Sequence, residues 1–365
     1  MGPDFDRSPA RIRALDELRG LAILAVVASH IGLVFGPDLA AARAFGAPAL
    51  GVGVDLFFVI SGFAVAESAR RLHRDAHGAF WRGAMAFCSR RVLRIGPPAW
   101  AVIALMAMCH ALGMSLGETA DDLKAGAGFY ANVYWAPCFD RAAGCGAPTA
   151  TSHFWSLASE MQFYFAAPFL IALSPRVMAL VCITTLAAGA VSERPWGGFW
   201  WTFRVDGFAV GVLLSLGLAR RWPLPRFGTA IAAFWLGAAS ILARVFGALA
   251  SGAGITMVAI IFGLVVASAI QQRPETQQRS MLQRLGELSF SIYLVHLPIM
   301  SGIHEALGGR APAILVLSIA AGSTLVLALL LEAIVTRPAQ ILGNHFSEWM
   351  CGRDRAERAL TRVAA

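Results

Sequence analysis

The stretch LDELRGLAILAVVASH (residues 15–30) decides how the chain folds, because it joins an apolar run to an arginine and a histidine. Eleven residues separate Arg19 from His30. In an α-helix this is three turns plus about 20°, with a rise of about 16 Å, so both side chains lie on one face. Asp16 precedes Arg19 by about one turn and can pair with it. The stretch therefore predicts a helix in hydrocarbon with one polar face turned away from lipid.

The composition predicts an all-α, polytopic membrane protein. Of the 365 residues, 57% are hydrophobic and 14% are charged, whereas about 25% are charged in soluble globular domains. Apolar runs of about 20 residues, the length that a membrane-spanning helix needs, recur along the chain. We predict a bundle of about ten transmembrane helices, over residues 15–36, 50–69, 95–113, 154–173, 177–193, 203–219, 227–247, 252–271, 287–307 and 312–335.

The basic residues predict the orientation of this bundle. With the N-terminus in the cytoplasm, 23 of the 30 Lys and Arg residues fall on the cytoplasmic side and 7 on the far side. Cytoplasmic loops carry an excess of these residues, so both termini are expected inside. The net charge of +8 follows from this asymmetry and does not indicate nucleic acid binding.

We predict one transmembrane domain over residues 1–340 and a cytoplasmic tail over residues 341–365. The tail is too short for a second folded domain, and its sequence is compatible with an amphipathic helix on membrane lipid. The spacing of the six cysteines does not predict a metal site. Cys138 and Cys145 can form a disulfide if the outer loop that holds them faces an oxidising compartment.

Arg19 and His30 each allow a purely structural explanation. An arginine near a helix end can snorkel to the membrane surface, and a deep histidine can bond to a neighbouring helix. Their shared face instead favours a polar channel, which an anion enters from the cytoplasm at Arg19. Histidine accepts protons near neutral pH, so chemistry is expected at His30.

Other polar residues in apolar segments fit the same channel. Arginines at the cytoplasmic end of the third predicted helix can bind phosphate through paired hydrogen bonds, although positive-inside bias also explains them. A carboxylate such as Glu160 is costly in an apolar run unless it is paired or functional. Glycines near Ser61 also suit simple close helix packing. The candidates are Arg90, Arg91 and Arg94, then Asp55 and Ser61, then Ser156, Glu160 and Tyr164, and finally Ser289, Tyr293 and His296.

Six segments, in order along the chain, carry motifs that occur together in one family. They are Arg19 followed by His30 at a spacing of eleven, FFVISGF (57–63), RRVLR (90–94), FWSLASEMQFYFAAP (154–168), FRVDGFAVGVLL (203–214) and LSFSIYLVHLPI (288–299). With these segments the chain resembles the acyltransferase-3 family of integral membrane acyltransferases. The family's last helix usually ends in Glu-[Lys/Arg]-Pro. Here Thr336 precedes Arg337 and Pro338, and Glu332 lies a turn earlier, so any role of the family's terminal glutamate is moved or lost in this chain.

The resemblance implies transfer of an acyl group, most often acetyl, from cytosolic acyl-CoA to a hydroxyl group beyond a bacterial inner (cytoplasmic) membrane. The expected acceptor is a cell-surface or lipid-linked carbohydrate. The phosphates of coenzyme A suit the basic cytoplasmic face, and no metal cofactor is expected. We expect catalysis by His30 and Glu160, with donor binding by Arg19, Arg90, Arg91 and Arg94. The expected pocket residues are Asp16, Asp55, Ser61, Tyr164 and His296.

Two mechanisms and two other functions stay open at this point. His30 either deprotonates the acceptor hydroxyl or takes the acyl group itself and relays it. A transporter or flippase for a glycan or glycolipid is the alternative function, although the inverted repeat typical of carriers is not found. A structural scaffold would not need Arg19 and His30 on one face. The sequence leaves the acceptor, the acyl length and the possibility of a homo-oligomer undecided.

Overall fold

The computed structural model describes residues 13–35, 48–75, 79–114, 116–140, 150–194, 200, 203–218, 251–270 and 279–363. These ranges confirm the all-α prediction, since the only extended pairing within them is a single bridge between Glu193 and Ser251. Short helical turns at Pro48–Val52, Leu214–Leu218 and Glu332–Thr336 adjoin the main helices. The main helices are α1 (Arg13–Phe35), α2 (Gly53–Asp75), α3 (Phe80–Ala111), α4 (Ala120–Ala127), α5 (Ala131–Asp140), α6 (Phe154–Ala172), α7 (Pro175–Val191), α8 (Asp206–Leu213), α9 (Gly252–Ile270), α10 (Met281–Leu307), α11 (Ala313–Leu331) and α12 (Arg337–Val363).

Each predicted span that falls on described residues coincides with a helix. Within the described ranges, four helical segments are long and apolar enough to cross a membrane, namely Leu50–Arg71, Phe80–Ala111, Gly252–Ile270 and Ala313–Cys351. The apolar helices Pro175–Val191 and Asp206–Gly217 are shorter. The predicted span 227–247 and the residue Cys145 lie outside the described ranges. The total of ten spans and the cytoplasmic placement of both termini therefore stay predictions.

The basic segment 70–94, which the sequence predicts as a loop, is mostly helical. Helix α2 continues to Asp75 and helix α3 begins at Phe80, about 15 residues before the predicted start of the third span. An apolar run in the sequence marks only the part of a helix that lies in hydrocarbon. Arginine is a good helix former, so the helix continues past the apolar run. Likewise, helix α12 runs across the predicted boundary between residues 340 and 341 without a break.

The outer segment 114–153, also predicted as a loop, contains two short helices. Helix α4 begins at a capping box, in which the Thr119 hydroxyl accepts from the Asp122 amide and the Asp122 carboxylate accepts from the Thr119 amide. Such a box satisfies two backbone donors that would otherwise have no partner. Helix α5 follows at Ala131–Asp140.

Two glycines hold α1 tightly against α10. A Cβ atom on Gly20 would collide with the carbonyl group of Leu282, and one on Gly286 would collide with the carbonyl group of Asp16. Glycine is needed at both points because the two backbones touch. The α1 helix, with Arg19 and His30, is thereby fixed beside the helix that carries Tyr293 and His296.

Large apolar side chains are exposed on helices α7 and α11. Leu180, Ile183, Val326 and Leu330 are each more than half exposed. A water-soluble protein rarely leaves so many large apolar side chains uncovered. These surfaces are expected to face lipid in a membrane protein.

Candidate active site

One polar cleft lies among α1, α2, α3, α6 and α10. It holds about 710 Å³ of space that no atom occupies, part of it open to the outside. Val54, Phe57, Phe58 and Leu157 are among its apolar lining residues. Six of the side chains that the sequence selects as site residues also line it: Arg19, Ser61, Arg91, Arg94, Glu160 and Tyr164. The polar candidates Ser156, Ser289 and Tyr293 line it as well.

The cleft has a strongly cationic part. The Arg91 side chain stacks between two rings, with its guanidinium carbon 5.3 Å from the Phe87 centroid and 5.2 Å from the Tyr164 centroid. Only 8% of Arg91 is exposed, and its Nε atom has no hydrogen-bond partner among the described residues. Arg94 also forms no ion pair with another described residue, whereas Arg19 donates to Asp16 at 3.0 Å, as the spacing predicts. A buried cation that forms no direct ion pair is costly, so this part of the cleft is suited to an anion.

Glu160 forms a hydrogen-bonded group with two predicted pocket residues. Its Oε1 atom accepts from the Ser61 hydroxyl at 2.6 Å and from the Tyr164 hydroxyl. Ser61 comes from α2, whereas Glu160 and Tyr164 lie one turn apart on α6. Hydrogen bonds from two hydroxyl groups stabilise the charged carboxylate inside the protein.

Three histidine rings lie side by side next to the cleft. The centroid of His296 lies 5.0 Å from that of His30 and 5.2 Å from that of His153. The Nδ1 atom of His30 lies 2.9 Å from the Val26 carbonyl oxygen and 3.2 Å from the Nε2 atom of His296. His296 and His153 are fully buried, and neither they nor His30 line the cleft itself.

The backbone contacts assign the ring tautomers. A carbonyl oxygen can only accept, so a ring nitrogen beside one carries the hydrogen. His30 Nδ1 faces the Val26 carbonyl and His296 Nδ1 faces the Tyr293 carbonyl at 2.7 Å. The Nε2 lone pair of His296 is thus directed at His30, and the Nε2 atom of His30 is left as the basic nitrogen.

Tyr293 links the histidine rings to the cleft. Its hydroxyl donates to the His153 carbonyl at 2.6 Å and lies 2.5 Å from the Ser156 hydroxyl. Tyr293 and Ser156 both line the cleft. His153 was not predicted as a site residue, although it is a second polar residue one turn before Ser156 in an apolar stretch.

Two predicted site residues, Asp55 and Arg90, bind to partners outside the cleft. Asp55, predicted to line the pocket, accepts from Arg204 at 2.8 Å, and only 2% of each side chain is exposed. Arg90, predicted to bind the donor, donates to Ser347 of α12 at 3.0 Å. Neither residue lines the cleft. Sequence reasoning could not find these partners, because 149 residues separate the first pair and 257 the second.

Glu332 lies in the π-helical turn at the end of α11. Its Oε2 atom accepts from the Ser291 hydroxyl at 2.9 Å, and its Oε1 atom lies 3.5 Å from Arg337 Nε. The Thr336 hydroxyl is 3.4 Å from the same Ser291 hydroxyl.

Within the described part of the chain, no group of three or more His, Cys, Asp and Glu side chains is arranged to hold a metal ion.

Arginines and a carboxylate inside one cleft, with a basic histidine beside it, are typical of a membrane enzyme. The chain belongs to the acyltransferase-3 family, since the model of that family's acyltransferase domain matches residues 12–333. It is therefore a multi-pass membrane acyltransferase.

Two curated relatives carry names of the same kind. The chain is 28% identical over 363 residues to acyltransferase MdmB of Streptomyces mycarofaciens, with 89% of this chain and 88% of that protein covered. It is also 28% identical over 311 residues to a Komagataeibacter xylinus protein named as a membrane-bound transacylase, BcsY, with 79% and 72% covered. No solved structure gives a significant match to the chain.

Proposed function

We propose that the protein transfers an acyl group, most simply acetyl, from cytosolic acyl-CoA to a hydroxyl group of a carbohydrate or glycolipid on the far side of a bacterial inner membrane. The observation that carries this proposal is the buried Arg91 guanidinium beside Arg94 and Arg19 in one cleft. Coenzyme A brings several phosphate charges, which guanidinium groups bind through paired hydrogen bonds. The pantetheine arm would then carry the thioester along the cleft toward Tyr293 and His30.

His30 supplies the basic nitrogen in this proposal. Its Nδ1–H group is held by Val26 and faces the His296 lone pair, so Nε2 can accept a proton. If His30 acts as a base, Nε2 takes the acceptor hydroxyl proton, the oxygen bonds to the thioester carbon, and the C–S bond breaks. The released thiolate of coenzyme A then takes that proton.

In the relay alternative, His30 Nε2 itself attacks the thioester carbon and coenzyme A leaves as a thiolate. The acceptor hydroxyl oxygen then bonds to the acyl carbon, the bond from that carbon to Nε2 breaks and restores His30, and the hydroxyl proton passes to the thiolate or to solvent. The relay separates the two half-reactions, which suits a donor and an acceptor on opposite membrane faces. Glu160, held by Ser61 and Tyr164, would orient the acceptor or the reacting end of the donor.

The test uses membranes that contain the full chain and acetyl-CoA labelled in the acetyl group. His30→Ala should abolish labelling of surface carbohydrate, whereas His110→Ala, which changes a part-exposed histidine, should not. Unchanged transfer by a normally expressed His30→Ala variant would remove His30 from the chemistry. Label that remains on His30 when no acceptor is present supports the relay.

Binding of coenzyme A separates this proposal from the transporter or flippase alternative. A carrier of glycans has no reason to bind coenzyme A, whereas the proposed enzyme must bind it in the arginine-lined cleft. Purified wild-type protein should therefore show a higher unfolding temperature with acetyl-CoA. The Arg91→Ala variant should lose most of that shift, and no shift for the wild type would contradict the proposed donor.

A further inference from the structure

Helix α12 lies beyond the part of the chain that the family model matches, which ends at residue 333. One face of this helix is buried through Gly343, Ser347 and Cys351, which are spaced by four residues. Residues at this spacing share one face of a helix. Large side chains on the remaining surface, including Leu342, Phe346 and Trp349, are exposed.

The buried face of α12 lies directly on the turn of α3 that carries the arginines. A Cβ atom on Gly343 would lie 3.2 Å from Leu93 Cβ and 3.4 Å from Arg90 Cα. Four residues further along α12, the Ser347 hydroxyl accepts from Arg90 Nη2 at 3.0 Å, and Ser347 is completely buried. Small residues permit this close approach of two helices.

The contact determines where the neighbouring arginines point. Arg90 immediately precedes Arg91 and lies one turn before Arg94, so one rigid turn of α3 carries all three. Arg91 and Arg94 line the cleft, whereas Arg90 does not. The bond from Arg90 to α12 joins this turn to a second helix outside the cleft, and it therefore resists rotation of the turn about the α3 axis.

We infer that α12 is a positioning element for acyl-donor binding, and that Arg90 and Ser347 are positioning residues that keep Arg91 and Arg94 directed into the cleft. This inference rests on the proposed acyl-CoA donor. It gives Arg90 a mechanical role in place of direct phosphate contact, and it makes the C-terminal helix part of the donor site.

The experiment compares two glycine-to-leucine substitutions in the full-length protein. Gly343→Leu forces α12 away from Arg90 and Leu93, whereas Gly322→Leu on α11 is a matched control, because nothing lies within 4 Å of a Cβ at that position. Dissociation constants for coenzyme A are measured by calorimetry on purified protein. Gly343→Leu should weaken binding by about three- to tenfold, and Gly322→Leu should leave it unchanged.

Ser347→Ala keeps the helices in contact and removes only the hydrogen bond. Arg90→Ala, Ser347→Ala and the double variant should weaken coenzyme A binding by similar factors, since all three remove the same bond. In turnover assays, Ser347→Ala should raise KM for acyl-CoA and leave kcat nearly unchanged. Without ligand, its unfolding temperature should fall by only a few degrees, because a single hydrogen bond is lost.

Two results overturn the inference. One is wild-type affinity for coenzyme A in both Gly343→Leu and Ser347→Ala. The other is a lower kcat in these variants while KM for acyl-CoA stays unchanged. A wild-type protein that binds no coenzyme A would instead contradict the proposed donor itself, so the two failures are distinguishable.

Discussion

The Nε2 atom of His296 lies 3.2 Å from the Nδ1 atom of His30, although 266 residues separate them along the chain. The geometry resembles a catalytic base held by a second group, because the free lone pair of His296 faces the N–H group of His30. In the proposed reaction, a partner in this position would stabilise the positive charge that His30 gains when its Nε2 atom accepts a proton.

His296→Ala should therefore lower kcat of acyl transfer by about 100-fold while the affinity for coenzyme A stays near that of the wild type. The loss arises because the His30 ring can then adopt the wrong tautomer or orientation. His304→Ala is the control, since His304 lies on the same helix and contacts Phe35 instead. Wild-type kcat in His296→Ala would show that the histidine contact has no catalytic role.

Arg91→Lys should weaken coenzyme A binding by about tenfold, although the charge is kept. A lysine cannot reproduce the flat guanidinium stacked between Phe87 and Tyr164, and it offers a phosphate no paired hydrogen bonds. The dissociation constant is measured at two salt concentrations, because screening by salt weakens phosphate contacts. Arg176→Lys, at an exposed position on α7, should bind as the wild type does.

The sequence predicts the helical class and the cationic part of the cleft, because both depend on local patterns. Apolar runs locate the helices, and the spacing of Arg19 and His30 places both on one face of α1. The sequence does not predict side-chain partners that are distant along the chain, because long-range packing determines them. Nothing local to Asp55 shows that it pairs with Arg204, and nothing local to Arg90 shows that it turns away from the cleft toward Ser347.

Asp55→Ala should destabilise the protein by about 3–5 kcal/mol, because it removes the carboxylate that pairs with the buried Arg204 guanidinium. Arg204 is adjacent to a second buried pair, in which Arg194 donates to Asp206 at 2.6 Å. The unfolding temperature in detergent measures the loss. The apolar double variant Asp55→Leu with Arg204→Met should recover much of it, and equal losses in the single and double variants would contradict a charge-based explanation.

A fluorescent protein that matures only in the cytoplasm, fused after Ala365, should become bright. This outcome follows from the excess of basic residues on the predicted cytoplasmic side. A matching fusion of alkaline phosphatase, which is active only outside the cytoplasm, should be inactive at the same site. The opposite pair of results would place α12 and the donor arginines on the far side, where cytosolic acyl-CoA does not reach them.

Glu160→Gln should lower kcat of acyl transfer by about tenfold or more with little effect on the affinity for coenzyme A. The amide has the size of the carboxylate but carries no charge, so it accepts more weakly from Ser61 and Tyr164 and holds a polar acceptor less firmly. Tyr164→Phe and Ser61→Ala each remove one bond to the same Oε1 atom. Combined with Glu160→Gln, each should therefore add little further loss. If the three effects multiply instead, the residues act separately, and Glu160 does not depend on its two hydroxyl partners.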